Sequence, residues 1–137
     1  MPALVLDSSV ALSLAFEEEF DAYSVRVFEA IRSDGALVPA LWPLEVANIL
    51  SNGVKRNRLT ESDAERFLEL LAAQPIEVAL ESQNPSTAEL FALSRRHLLT
   101  AYDASYFRLA LSSGLPLASK DKDLNLAAQA AGVILFE

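Results

Sequence analysis

Four carboxylates in this chain fall where an acid is either incidental or chemical: Asp7 in "LVLDSS", Glu45 in "WPLEVAN", Asp103 in "TAYDASYF" and Asp121 in "ASKDKDL". Asp103 is the sharpest case. At helical spacing it shares a stripe with Phe107, Ala110 and Leu111, the stripe that should pack against the rest of the protein. A carboxylate placed there has to be desolvated, which is costly unless something compensates it. Glu45 heads a comparable polar seam, continued by Asn48 and Asn52, along an otherwise apolar helix. Several unpaired carboxylates packed together repel and raise one another's pKa. A divalent cation removes the conflict, and ligands that are all oxygen select a hard ion such as Mg²⁺ or Mn²⁺.

Taken singly, each acid also has an ordinary explanation. Asp103 fits the third position of a helix capped by Thr100, where the helix dipole favours negative charge. Glu45 fits the same post two residues after Pro43. Asp7 fits the cap of a short helix starting near Ser8. Asp121 fits a solvated loop, with Asp123 as cap of the helix through Ala131. These explanations leave out why Asp103 faces inward and why all four acids should share one edge of the molecule.

That shared edge follows from the elements. Short apolar runs alternate with longer helical patterns, the signature of an α/β domain with a mostly parallel sheet. The strand candidates are 3–7, 36–40, 76–80, 115–119 and 132–137; the first and last read as the most buried, and Pro39 ends the second. A helix over 21–33 begins at Asp21 and stops before Gly35. Pro43 opens a helix through about Val54. Thr60 with Asp63 starts another, whose Ala64, Phe67, Leu68 and Leu71 form one face. Asn84-Pro85 opens the next, and Gly114 and Gly132 close the last two. Right-handed crossovers then give a three-layer α/β/α sandwich, a single domain over 1–137. Open parallel sheets bind ligands outside the carboxyl ends of their strands. Asp7 and Asp121 follow strands at that edge, and the helices carrying Glu45 and Asp103 begin there.

Composition narrows the function classes. The chain has 137 residues, 52% hydrophobic and 22% charged, enough for one globular core. It has no cysteine, which removes disulfides, thiolate metal sites and a cysteine nucleophile, and fits a reducing compartment. "MPALVLD" lacks the basic start of a secretory signal, and apolar stretches such as "VALSLAF" are too short to span a bilayer. A cytoplasmic protein with no membrane segment is expected. His97 is the only histidine, so a two-histidine acid–base nuclease is excluded; a helix C-terminus is its expected setting. No GxSxG elbow, Walker loop or GxGxxG fingerprint is present. Trp42 reads as a packing anchor rather than a base-stacking platform, and Glu17-Glu18-Glu19 as a solvated loop.

Nineteen acids against eleven bases give a net charge of −8, which argues against broad electrostatic binding to nucleic acid. The objection shrinks if several acids are offset by metal and if bases cluster locally. Such clusters are "VKRNR" up to Arg58, "SRRH" over 94–97, and Lys120 and Lys122 flanking Asp121. "VKRNR" reads equally well as a solvated helix end; Lys120 and Lys122 are better placed to guide a phosphate backbone.

The segments "LVLDSSVAL", "LWPLEVANIL", "LTAYDASYFRLA" and "LPLASKDKDL" together resemble the four acidic motifs of PIN domains, most closely the VapC-type toxins of bacterial and archaeal toxin–antitoxin pairs. The resemblance covers almost the whole chain, in the right order. It implies that Asp7, Glu45, Asp103 and Asp121 are the catalytic, metal-binding quartet of a Mg²⁺- or Mn²⁺-dependent endoribonuclease. Asp7 and Asp103 would be the principal ligands, with Glu45 and Asp121 completing the shell directly or through water. Ser9 and Ser119 match small hydroxyl positions that orient the acids; the family commonly has threonine where this chain has Ser119. Asn48 is a supporting residue, and Asp123 a second acid that ranks below Asp121. The resemblance further implies an RNA substrate, 5′-phosphate and 3′-hydroxyl products, a cognate antitoxin protein that covers the groove, and a homodimer. A PIN-domain nuclease working in RNA processing is the alternative. Two other classes fit less well. A dehalogenase-type phosphatase needs Asp where Ser9 stands, and a non-catalytic receiver-like interaction module needs a phosphoacceptor Asp that "IEVALESQN" lacks.

Overall fold

The computed structural model describes residues 1–16 and 19–137. Strands β1 (Leu4–Leu6), β2 (Ala36–Val38), β3 (Ile76–Val78) and β4 (Leu117–Ala118) form one sheet in the order β3-β2-β1-β4. Every pairing is parallel, with Leu4 opposite Ala36, Val5 opposite Leu117 and Ala36 opposite Ile76. β1 is buried throughout, as an unbroken apolar run must be when helices cover both faces of a parallel sheet. Helices α1 (Ser8–Ser13), α2 (Ala22–Asp34), α3 (Trp42–Lys55), α4 (Glu61–Ala72), α5 (Thr87–His97), α6 (Ala101–Ser113) and α7 (Lys122–Ala130) fill the connections. α6 packs on β1, β4, α5 and α7, while α1 meets α2 and α3, and α3 meets α4. This is the expected α/β/α sandwich. Among the described residues no helix is long and apolar enough to cross a membrane.

The strand order positions the site. From β1 the chain builds one side of the sheet as far as β3, then returns to lay β4 along the other edge of β1. The reversal between β1 and β4 is a topological switch point, where an open parallel sheet leaves a crevice at its carboxyl end. Asp7 and Ser119 directly follow those two strands.

Local chemistry sets the helix ends. Asp21 caps α2 by accepting the Ser24 N–H at 2.9 Å. Gly35 closes that helix at φ 89°, where an added Cβ would lie 2.8 Å from the Pro75 carbonyl oxygen. Thr60 and Asp63 form the reciprocal capping box that starts α4. Thr100 caps α6 by accepting the Asp103 N–H at 3.1 Å.

Several sequence expectations change. The segment 132–137, expected among the most buried strands, meets the sheet through one parallel bridge from Leu135 to Leu117, and Ile134 is 68% exposed. Its neighbour β4 is only two residues long, too short to template a ladder. α5 starts later than Asn84-Pro85 suggests, with Ser86 capping through the Glu89 N–H at 3.1 Å. A proline biases the residue before it to extended backbone, and Asn84 is extended. Leu111 leaves the buried stripe of α6 and is 46% exposed. Eight residues beyond Asp103 a helix has turned about 80° past its starting line. Trp42 is buried, as a packing anchor should be. Of the acidic run, Glu17 and Glu18 lie outside the described residues, and Glu19 pairs with Arg58 at 3.2 Å.

Candidate functional site

Asp7 is built in most firmly. Its backbone N–H donates to the Ala118 carbonyl at 3.0 Å, tying the end of β1 to β4. Although Asp7 occupies the cap position of α1, its carboxylate makes no cap bond. Instead the Ser9 and Ser119 hydroxyls both donate to Oδ2, each at 2.7 Å. The hydroxyl directions are fixed by what they accept: the Lys120 N–H reaches Ser9 Oγ and the Asp121 N–H reaches Ser119 Oγ, both at 3.0 Å. Two hydroxyls thus hold one oxygen and leave Oδ1 outside that pair. Asp7 is 4% exposed, and burial pushes its pKa up, with the Asp121 charge adding to the rise.

Glu45 stands in the first turn of α3, which Pro43 opens. The hydroxyl of fully buried Tyr106 donates to its Oε1 at 2.5 Å. Burial raises the Glu45 pKa, the Tyr106 bond opposes that, and the Asp7 charge raises it further. The same environment drives the Tyr106 phenol upward, so it stays a donor. Asp103 is partly buried in the first turn of α6, and its pKa is pushed up to about 6. Desolvation is the largest cause; next come the charges of Asp121, Asp7 and Glu45. One carboxylate therefore feels the other three. Asp121, and not Asp123, is the cap of α7, its Oδ1 accepting the Leu124 N–H at 2.9 Å.

Asp7, Asp103 and Asp121 line one cavity of about 240 Å³, together with Ser8, Ser9, Phe16 and Arg58. Glu45 lines an adjoining groove, and Ile49 belongs to both. Among the described residues no three such side chains close into a ready cage for an ion. The donor chemistry still fits a hard cation, which would relieve the mutual repulsion recorded at Asp103. Mg²⁺ in particular keeps several waters and takes one or two carboxylates plus substrate oxygens, so an open set of acids suits it.

The remaining candidates divide. Asn48 is exposed and lines the groove beside Glu45. Asp123 and Lys122 are exposed in the first turn of α7, outside the cavity lining. Lys120 turns away from the acids: its ammonium pairs with Asp21 at 3.1 Å and donates to the Glu19 carbonyl at 2.7 Å, bracing the loop that carries Asp121. His97 ends α5 with its ring 4.5 Å from that of Phe107.

Sequence reasoning passed over Tyr106 and Ser8. Tyr106 had a signal, since it follows Asp103 by three residues on one helix face. Ser8 is buried, lines the cavity and helps to lower the Glu45 pKa. Arg58 of "VKRNR" lines the cavity, its guanidinium 4.0 Å from the centre of the Phe16 ring and 3.2 Å from the Glu19 carboxylate. Gly53 makes room for that ring, for a Cβ there would come within 3.0 Å of it.

Comparison with known proteins agrees with this geometry. The model of the PIN domain matches residues 4–130. Ribonuclease VapC3 of Pyrobaculum aerophilum is 31% identical over 121 residues, covering 88% of this chain and 91% of that protein. The crystal structure of PAE2754 from Pyrobaculum aerophilum superposes with a TM-score of 0.70 at 25% identity, over 91% of this chain and 85% of that one. The chain belongs to the PIN domain family.

Proposed function

We propose that this protein is a divalent-metal-dependent endoribonuclease and the toxin of a toxin–antitoxin pair. The observation that carries the reading is the meeting of Asp7, Asp103 and Asp121 in one cavity at the switch point, with the Asp103 pKa lifted first by burial and then by the charges of Asp121, Asp7 and Glu45. Membership of the PIN family and a relative named as a VapC ribonuclease support it. Asp7 and Asp103 are the principal ligands, with Glu45 and Asp121 completing the shell directly or through water. Mg²⁺ or Mn²⁺ bound there supplies a Lewis acid that activates water near neutral pH and offsets phosphate charge.

The chain's own residues prepare that chemistry. Ser9 and Ser119 fix one Asp7 oxygen and so aim the other. Tyr106 donates to Glu45 and opposes the rise that burial gives its pKa. Arg58 stands on the cavity wall beside Phe16 and paired with Glu19, so a phosphate oxygen would have to compete with that carboxylate for it. RNA is the substrate, a cognate antitoxin silences the site, and the working form is a homodimer.

The test is cleavage of an RNA panel with Mg²⁺ or Mn²⁺ and with EDTA, using wild type and Asp7→Asn. Wild type should cut only with metal, and Asp7→Asn should be folded and inactive. Near-normal rates for the variant in metal-matched assays would sink the reading. Expression without a partner should slow growth, with relief by Asp7→Asn. Normal growth with abundant active wild type would point to RNA processing instead.

A further inference from the structure

The acidic cavity shares Ile49 with a groove of about 500 Å³ lined by Leu41, Leu44, Glu45, Asn48, Ile49 and Tyr102. Its chemistry differs from that of its neighbour. Three of its lining residues are leucine or isoleucine, one is an aromatic ring, and one is an amide with both a donor and an acceptor. Tyr102 is 64% exposed, unlike Tyr106, which is fully buried on the same helix. It is also the residue immediately before Asp103 in the first turn of α6, and it lines the groove together with Glu45.

We infer that this groove is the subsite for an unpaired nucleobase next to the scissile phosphate, with Tyr102 as the stacking face and the Asn48 amide reading the base edge. The inference rests on the nuclease reading above. Charge selects the base over the backbone. No lysine or arginine lines the groove among the described residues, and Glu45 at its rim would repel a phosphate. A base is flat, uncharged and edged with donors and acceptors, which matches a ring, apolar walls and one amide. The volume lies within the usual range of small-molecule sites, about 300–1,000 Å³. Proximity to the acids supplies the rest: Glu45 in the groove feels the charge of Asp7 and Ile49 lines both sites, so a strand whose phosphate lies among Asp7, Asp103 and Asp121 can bring its neighbouring base to the groove.

The test uses the full-length protein and a short RNA with one cleavage site, beside a copy that is abasic at the flanking nucleotide. Stacking on an aromatic side chain is worth about 1–3 kcal/mol per base, so Tyr102→Ala should lower kcat/KM by about tenfold or more. Tyr102→Trp should retain activity. Removing the base should cost wild type the same factor and cost Tyr102→Ala little further, because both changes delete one interaction. A second readout does not need turnover. In the inactive Asp7→Asn background, Trp at position 102 should lose fluorescence when the RNA is added and not when the abasic copy is added. Equal kcat/KM for wild type and Tyr102→Ala, with equal sensitivity to the missing base, would overturn the inference while leaving the nuclease reading intact. So would a change in oligomeric mass on Tyr102→Ala without any change in base sensitivity, which would make the groove a protein interface. If wild type cuts no RNA, the nuclease reading falls, and unchanged fluorescence would remove the subsite with it.

Discussion

Replacing Asp103 by Asn keeps the shape and the Thr100 cap of α6 while removing a charge from among three others. Its rise from 3.8 to about 6 corresponds to a ceiling of about 3 kcal/mol of destabilisation at neutral pH, at about 1.36 kcal/mol per pH unit. The side chain is only partly buried, so solvent screening reduces this to about 1 kcal/mol. A first-turn acid also gains about 0.3–1 kcal/mol from the helix dipole, which the substitution forfeits. Without metal, Asp103→Asn should therefore melt at or slightly above wild type, by at most about 4 °C for a chain of this size. The pH dependence has a definite sign. The folded pKa lies above the unfolded one, so the penalty is complete above about pH 6 and fades as pH falls from there toward 3.8. The gap between the proteins should be widest at pH 7.5 and close near pH 4. Metal should reverse the order, since an ion at a hundredfold excess over its dissociation constant stabilises wild type by about 2.7 kcal/mol. The assay is one set of thermal melts in EDTA and in millimolar Mg²⁺ or Mn²⁺. Equal metal shifts in both proteins would mean that Asp103 is not a ligand.

Three further outcomes follow from the hydrogen bonds. The double change Ser9→Ala, Ser119→Ala frees Asp7 Oδ2 and should raise the metal concentration for half-maximal cleavage by about 10- to 100-fold; an unchanged midpoint would show that the hydroxyls do not aim the carboxylate. Tyr106→Phe removes the bond that holds the Glu45 pKa down, so the acid limb of the pH–rate profile should move to higher pH; a uniform drop with the limb in place would assign Tyr106 to packing alone. His97→Ala should change the cleavage rate by less than about threefold, and a loss of several hundredfold would restore an acid–base role to the imidazole.

The parts of the fold legible in the sequence were those with local causes. Thr60 with Asp63, Asp21 before α2 and Thr100 before α6 announce helix starts because the cap bond is made within three residues. The strands of the sheet were legible as short apolar runs between those helices. Segment 132–137 misled because an apolar run says nothing about the length of the strand beside it. Leu111 misled because an eight-residue extrapolation along a helix outruns its period. At the site, the acids were legible by residue type and position. Ser9 and Ser119 were named as orienting hydroxyls by the family resemblance alone, and Tyr106 was missed, because its bond to Glu45 spans 61 residues, a distance that only the assembled fold closes. Lys120 beside Asp121 shows the converse. Sequence adjacency placed a cation next to an acid, and the fold turned it toward Asp21.

The charge of the chain is easier to understand once the site is assembled. A net −8 looks unsuited to a polyanion, yet the acids of the centre are a demand for cations, and the site offers two ways to meet it. On the proposed reading a divalent ion would sit where repulsion is greatest, and Arg58, paired with Glu19, stands on the same cavity wall 4.0 Å from the centre of the Phe16 ring. Lys120 is drawn into bracing the loop of Asp121, so its charge serves position rather than attraction. On the proposed reading binding would depend little on a broad basic surface and much on metal and the largely apolar groove beside Tyr102. Such a design would recognise a phosphate only when metal and base are both in place, and it would leave the bulk acidic surface to repel nucleic acid that cannot reach the site.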